Sequence, residues 1–301
     1  MPWTTAQIPN LSGRTALVTG PSTGGIGFYT ARELARAGAH VLLAGRTPAK
    51  LDEAAAAISA EVPKASTAPV VVDMASLESI RSAAASVTGP LDILVNNAGV
   101  MATPHTRTVD GFEQQFGTNH LGPFLLTGLL LPQLAEAGGR VVNVASIGHN
   151  AAVRAPLRDP SVAPQVYSRW QAYFQSKLAN LYFTYEGARR FAAAGLDVST
   201  YAAHPGFAGT HLVGNGTSFG FLSAPGDRAY KAMSQSAEDG AQPSLMAATA
   251  ELPSGTFVGP SRRMTLIGHP EVQKSSKLSY NEAYAARLWE ISEKATGITY
   301  P

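Results

Sequence analysis

The sequence contains no cysteine, which excludes disulfides, thiolate metal sites and cysteine nucleophiles together. It has no surplus of charge either. Its 23 basic and 21 acidic side chains leave +2, too balanced to argue for a nucleic-acid partner despite a pI of 8.8. No apolar run reaches the roughly 20 residues that span a bilayer; the longest, Gly122 to Leu131, stops at Pro132. The opening MPWTTAQIPNLSGR has no basic stretch followed by an apolar one, so it does not read as a leader. His105, His120, His149, His204 and His211 are scattered without ligand spacing, so no metal is expected. Repeats and low-complexity tracts are absent. What remains is a chain of 301 residues, 45% apolar, with 29 glycines and 20 prolines. That composition suits a turn-rich α/β protein with a sizeable core, expected in the cytoplasm.

Thr15 to Thr19 is a short apolar run of the kind that forms a strand buried on both faces. Gly20, Pro21, Ser22, Thr23, Gly24, Gly25, Ile26 and Gly27 follow, and the segment from Ile26 to Gly38 has helical periodicity. Strand, glycine loop and helix in that order suit a dinucleotide phosphate. Glycines let the backbone approach the pyrophosphate, and a helix N-terminus offers it free N–H groups. A second strand, His40 to Ala44, leads into Gly45, Arg46 and Thr47 without an Asp or Glu for a ribose 2′-hydroxyl. Arg46 is available to a 2′-phosphate and Thr47 can add a hydroxyl, which favours NADP(H) over NAD(H); a solvated surface arginine is the alternative.

Pro48 to Ala60 reads as a helix and Val70 to Val72 as a third strand, ending in Asp73 and Met74. The Asp73 carboxylate could accept from an adenine amino group or cap the helix that begins near Ser76. Leu91 to Val95 is a fourth strand that runs into Asn96, Asn97, Ala98 and Gly99, small and amide residues that suit either a cofactor ribose or a hydrogen-bonded turn. Thr108 to Leu131 reads as a long helix disturbed around Gly117 to Pro123. Asn119 lies in the disturbed part, where it could hold a water near a cleft or bond its own backbone. A fifth strand, Arg140 to Ala145, ends at Ser146, placed either for a ligand or as a turn cap. The loop from Ile147 to Arg169 is too long for a plain connector. A helix to about Ala194, a sixth strand Leu196 to Ala202, a helix Ala237 to Ala250, a strand Gly255 to Val258 and a helix Asn281 to Ala295 complete the chain. Strands alternate with helices throughout, giving one doubly wound, Rossmann-type α/β domain over residues 1–301, its parallel sheet flanked by helices.

Within WQAYFQSKLAN, Trp170 to Asn180, Tyr173 and Lys177 stand four positions apart, so a helix places them on one face. A free phenol has a pKa near 10, and a neighbouring ammonium group lowers it. The pair has the composition of a general acid/base with its own tuning group.

Taken in order, the glycine loop Gly20 to Gly27, Asp73, NNAG at Asn96 to Gly99, Asn119, Ser146, YxxSK at Tyr173 to Lys177, and Pro205-Gly206 resemble the short-chain dehydrogenase/reductase family. TVDGFEQQFGTNHLGPFLLT, SKLANLYFT and AHPGFAGTHL are similar to its retinol-dehydrogenase-like and protochlorophyllide-reductase-like branch. The loop G-P-S-T-G-G-I-G departs from the family's G-x-x-x-G-x-G by one extra residue, leaving the middle glycine, Gly24 or Gly25, open. The resemblance implies an oxidoreductase that interconverts an alcohol with its ketone or aldehyde. Tyr173 would be the proton donor or acceptor, Ser146 a hydrogen bond to the same oxygen, Lys177 the group tuning Tyr173 and binding a ribose, and Asn119 the holder of a water. Cofactor contacts are implied at Gly20, Ser22, Thr23, Gly25, Ile26, Gly27, Arg46, Asp73, Met74, Asn97, Ala98, Gly99, Tyr173, Lys177, Pro205, Gly206 and Thr210. Met101 and Phe207, with Phe219, Phe221 and Leu222 in a presumed lid over 207–235, suit a small lipophilic substrate. Residues 147–169 form an insert. The helices that carry Asn119 and Tyr173 commonly pack into dimers in relatives, so a homodimer is possible, but the insert after Ser146 could block it and the sequence does not fix the oligomer. A non-catalytic cofactor sensor on the same fold would be expected to have lost Tyr173 or Lys177, and an epimerase of the extended relatives would need a larger C-terminal domain.

Overall fold

The computed structural model describes residues 2–162, 165–207 and 235–301. Its strands are β1 Thr15–Thr19, β2 His40–Gly45, β3 Ser66–Val71, β4 Ile93–Asn96, β5 Arg140–Val144, β6 Ser199–Ala203, β7 Phe257–Arg262 and β8 Ile267–Gln273. They form one sheet in the order β3-β2-β1-β4-β5-β6-β7-β8. Every pairing is parallel up to β7, and β8 closes the edge antiparallel. Chain order reverses between β1 and β4, the place where doubly wound sheets open a crevice at their carboxyl ends.

The helices are α1 Ile26–Arg36, α2 Pro48–Glu61, α3 Leu77–Ser86, α4 Gln114–Phe116, α5 Gly122–Leu129, α6 Leu131–Ala137, α7 Arg169–Ala193, α8 Ala237–Thr249 and α9 Glu282–Thr296. Leu17 and Val18 show why both sheet faces are covered: adjacent on β1, they point opposite ways and each is about fully buried. Val18 packs with Val41, Phe28, Leu34 and Leu245 on one face. Leu17 packs with Leu94, Ile80, Phe124, Phe183 and Trp289 on the other. Each such side chain contributes about 1.5–3 kcal/mol on leaving water.

The observed elements differ from the sequence reading at several places, and four of the differences have a local reason. β3 begins at Ser66, because strand pairing with β2 extends through polar residues from His40–Ser66 onward. The helix expected from Thr108 begins instead at Gln114. Gly111 takes φ +87° in a tight turn, and the Glu113 carboxylate caps the helix by accepting from Gln115 and Phe116 N–H. The chain breaks again at Leu130, ahead of Pro132. β8 was not anticipated, because IGHPEVQ contains a proline and has no alternation; an edge strand tolerates both. The expected lid lies outside the described residues except for its ends, which meet where Gln235 N–H donates to Phe207 O. No described helix is long and apolar enough to cross a membrane.

Candidate active site

The glycine loop turns β1 into α1 at the carboxyl edge of the sheet. Gly20 takes φ +69°, and a Cβ there would lie 3.0 Å from the Ala98 Cα. The extra loop residue is absorbed by a turn over Ser22–Gly25, closed by Gly25 N–H to Ser22 O, with Gly24 at φ +74°. Gly25 is then the N-cap of α1, so the two adjacent glycines do different work. A Cβ on Gly27 would lie 2.4 Å from Asn97 Nδ2 and 2.5 Å from Gly20 O. Ile26 opens the helix beside them. The Thr23 hydroxyl in this loop is buried without a hydrogen-bond partner.

Asn97 and Ala98 hold the loop from below. Both backbone N–H groups donate to Thr19 Oγ1, and Asn97 Nδ2 donates to Thr19 O and Gly20 O. The Asn97 amide is therefore committed to the protein's own backbone. Gly45 lies against Pro21, which puts Arg46 beside the loop, exposed and without an ion pair or hydrogen bond among the described residues. Thr47, the N-cap of α2, makes no side-chain capping bond. Asp73 Oδ1 accepts from Ala75 N–H, while Ser76 is the cap of α3, so the carboxylate shapes the turn before the helix. Met74 is buried against Gly122 and takes part in the core. Gly206 takes φ +65° and could carry no Cβ, since Leu266 O would be 2.3 Å away. Thr210 lies outside the described residues.

Asn119 sits in a π-helical turn, Gly117–Leu121, in which Gly122 N–H reaches back to Gly117 O. Pro123 explains the widening: it has no N–H for the carbonyl four residues earlier, that of Asn119. The Asn119 amide accepts from Val100 N–H at 2.8 Å and donates to Val100 O and Ser176 Oγ, both at 2.9 Å. A Cβ on Gly99 would lie 3.0 Å from Asn119 Oδ1 and 3.6 Å from Lys177 Nζ, so the glycine leaves space directly over both groups.

Tyr173, Ser176 and Lys177 share the buried face of α7. Lys177 Nζ donates to Val144 O at 2.8 Å and stands 5.9 Å from the centre of the Tyr173 ring. Burial lowers the Lys177 ammonium to about 8. Burial raises the Tyr173 phenol above 10, and the neighbouring Ser146 hydroxyl pulls the other way. The acidification of the phenol by Lys177 that the spacing suggests is thus outweighed by desolvation, which acts on both buried groups. Ser146 caps a short 3₁₀ turn, Ile147–Ala151, accepting from Gly148 N–H at 3.1 Å, so its own hydrogen is free to donate. Phe174 fills the space where a Gly148 Cβ would go and stacks with Trp170 at 6.0 Å, an aromatic wall beside Ser146. Met101 is half-buried next to the Gly99 turn.

The structure therefore brings Ser146 and Lys177 to Tyr173, and Lys177 and Asn119 to the Gly99 turn, whose neighbours Asn97 and Ala98 brace the glycine loop. The glycine cradle, the α1 N-terminus and the orphaned Thr23 hydroxyl fit a dinucleotide pyrophosphate. Two bracing residues were not foreseen. Ser176 was visible in YxxSK but without a task. Gln115, fully buried, joins Ala102 N–H, Tyr167 Oη and Arg169 O, and so ties the insert to the β4 loop. No group of side chains among the described residues could hold a metal ion.

Comparison with known proteins shows which chains this one is similar to. The family model described as short chain dehydrogenase matches residues 14–157. Retinol dehydrogenase 12 of Homo sapiens is 38% identical over 99% of this chain and 90% of its own. An uncharacterised protein from Mycobacterium Paratuberculosis, known from a crystal structure, is 39% identical, with a TM-score of 0.82 over 100% of both chains. A structure described as an NAD(P) dependent gluconate 5-dehydrogenase from Beutenbergia cavernae, with bound NADP, is 29% identical over 80% of this chain and 91% of its own, with a TM-score of 0.61.

Proposed function

Since the chain belongs to the short-chain dehydrogenase/reductase family, and with it to the NAD(P)-dependent oxidoreductases, we propose that it interconverts a lipophilic alcohol with its aldehyde or ketone, using NADP(H). The observation that carries this reading is the convergence of Tyr173, Ser146, Lys177 and Asn119 at the glycine-lined end of the sheet.

A bound nicotinamide dinucleotide supplies or accepts the hydride. In the reductive direction Tyr173 gives its proton to the carbonyl oxygen; in the oxidative direction it takes the hydroxyl proton. A phenol that burial keeps protonated is suited to the donor role. The Ser146 hydroxyl, its lone pair engaged by Gly148 N–H, donates to the same oxygen and fixes it. Lys177 spends one hydrogen on Val144 O and keeps two for a ribose, while its charge stabilises the phenolate left when Tyr173 loses its proton. The widened turn at Asn119 leaves the Asn119 carbonyl to a water that returns protons through Lys177.

Arg46 and Thr47, with no acidic residue beside them, support NADP(H), as does the NADP-bound relative. The Trp170–Phe174 wall, half-buried Met101 and a relative named for retinol support an apolar substrate. The test is a panel of aldehydes and ketones of graded polarity, each offered with NADPH and with NADH. The expected result is turnover on apolar members, with kcat/KM at least tenfold higher for NADPH. Preference for polar carbonyls, or for NADH, would contradict it.

A further inference from the structure

His149 stands three residues after Ser146 and is buried. Its ring makes two hydrogen bonds whose directions are fixed by the partners. The Ser146 carbonyl, 2.6 Å from Nδ1, can only accept, so Nδ1 carries the hydrogen. The Ser276 N–H, 3.1 Å from Nε2, can only donate, so Nε2 is bare. The ring is therefore a neutral imidazole in one tautomer, and burial, opposed in part by the Ser146 carbonyl, holds its pKa down. Its edge meets Phe257 of β7 at 5.5 Å. Ser276 is itself held: it precedes a 3₁₀ turn, Lys277–Tyr280, and the Ser275 beside it bonds Tyr185 of α7, Ser279 and Tyr280.

The Ser146 carbonyl belongs to the Ser146–Ile147 peptide, and rotation of that peptide carries with it the next one, whose Gly148 N–H engages Ser146 Oγ. Such a rotation swings the Gly148 donor away from the hydroxyl. We propose that His149 is a positioning residue that anchors the Ser146 turn to the segment after β8 and so aims the Ser146 hydroxyl at the reacting oxygen. This rests on the reductase reading only for the oxygen at which the hydroxyl is aimed; the anchoring itself is a property of the turn.

The ring's two bonds can be removed separately. An Asn amide nitrogen overlays Nδ1, so His149→Asn keeps the donor to Ser146 O and loses the acceptor for Ser276. A Gln amide oxygen overlays Nε2, so His149→Gln keeps the Ser276 contact and loses the donor to Ser146. His149→Asn orphans the part-buried Ser276 N–H, whereas in His149→Gln the Ser146 carbonyl still accepts from the backbone N–H of residue 149, so a purely structural role predicts damage at least as great in the Asn variant. The expected result is that His149→Asn keeps kcat within about threefold, while His149→Gln lowers kcat tenfold or more with NADPH affinity unchanged. Amide hydrogen exchange, which needs no substrate, should show faster exchange at Gly148 only in the Gln variant and at Ser276 only in the Asn variant. Equal kcat losses, or unchanged exchange at Gly148 in His149→Gln, would overturn the proposal. In the wild-type protein, ¹⁵N spectra of the imidazole should show a protonated Nδ1 and a bare Nε2 from pH 6 to 8. The opposite tautomer would overturn the proposal whether or not either variant folds. Absence of turnover in the wild type would strike the reductase reading and leave the exchange and tautomer results to decide this one.

Discussion

Asn119 and Ser176 meet between the π-helical turn and α7, with the Asn119 amide donating to the Ser176 hydroxyl at 2.9 Å. Ser176 passes its own hydrogen to Tyr173 O at 2.7 Å. One buried hydroxyl thus joins the turn that carries Asn119 to the helix that carries Tyr173 and Lys177. Ser176→Ala leaves the Asn119 amide one acceptor short, at a cost of about 1–2 kcal/mol. Thermal denaturation should show Tm lower by roughly 2–5 °C, and kcat should fall several-fold with KM little changed. Unchanged Tm and kcat would mean that the two elements are braced elsewhere.

Gly27 leaves no room for a side chain between Asn97 Nδ2 and Gly20 O. Gly27→Ala must displace one of them, and both hold the phosphate loop. A loss of stability of about 2–4 kcal/mol is expected, with NADPH binding weakened at least tenfold in a fluorescence titration. Binding at wild-type affinity would show that the loop is not the cradle.

Much of this site was legible because the chemistry fixes residue types. Only glycine fits at Gly20 and Gly206, where φ is positive and backbone lies close, so the glycines mark the crevice directly. Tyr173 and Lys177 declare a shared face by spacing alone. The strands β1, β2 and β4 were legible as apolar runs between glycines and turns. Less legible were features set by partners distant in sequence. β8 is a strand because β7 offers an edge, not because IGHPEVQ favours one. The acidity of Tyr173 depends on its burial under the fold, which overrides the neighbouring ammonium that the spacing reveals. The binding of His149 to Ser276 spans 127 positions and has no local signature.

Arg46 stands beside the glycine loop with no partner among the described residues. Arg46→Asp replaces a cation by an anion where a 2′-phosphate would sit. The ratio of kcat/KM for NADPH to that for NADH should fall by at least a hundredfold, most of it in KM. An unaltered ratio, measured by steady-state kinetics at one ionic strength, would remove Arg46 from cofactor choice.

Lys177 is held without cofactor at the expense of stability. Burial moves its pKa from 10.5 to about 8. Between those values the unfolded chain binds a proton that the folded protein does not, so stability rises with pH in that window. Below about pH 8 the ammonium is charged in both states and its desolvation penalty is fully present. Lys177→Met removes that penalty, and Val144 O keeps a donor in Asn180 Nδ2. In urea at pH 7 the cofactor-free variant should be more stable than the wild type by on the order of 2 kcal/mol, with a flatter rise toward pH 9.5 and no turnover. Equal stability and equal slope would show the buried ammonium to be fully compensated.

The most direct test of the account is Tyr173→Phe, measured for NADPH binding and for single-turnover reduction of the best carbonyl in the same preparation. The substitution removes one oxygen from a buried ring and leaves Lys177, Asn119 and the glycine loop in place. Binding should stay within about threefold of wild type while the rate of reduction falls by at least a thousandfold, the scale of a lost general acid together with its positioning. Reduction at close to the wild-type rate would contradict the account, because the proton would then have reached the carbonyl oxygen without the phenol.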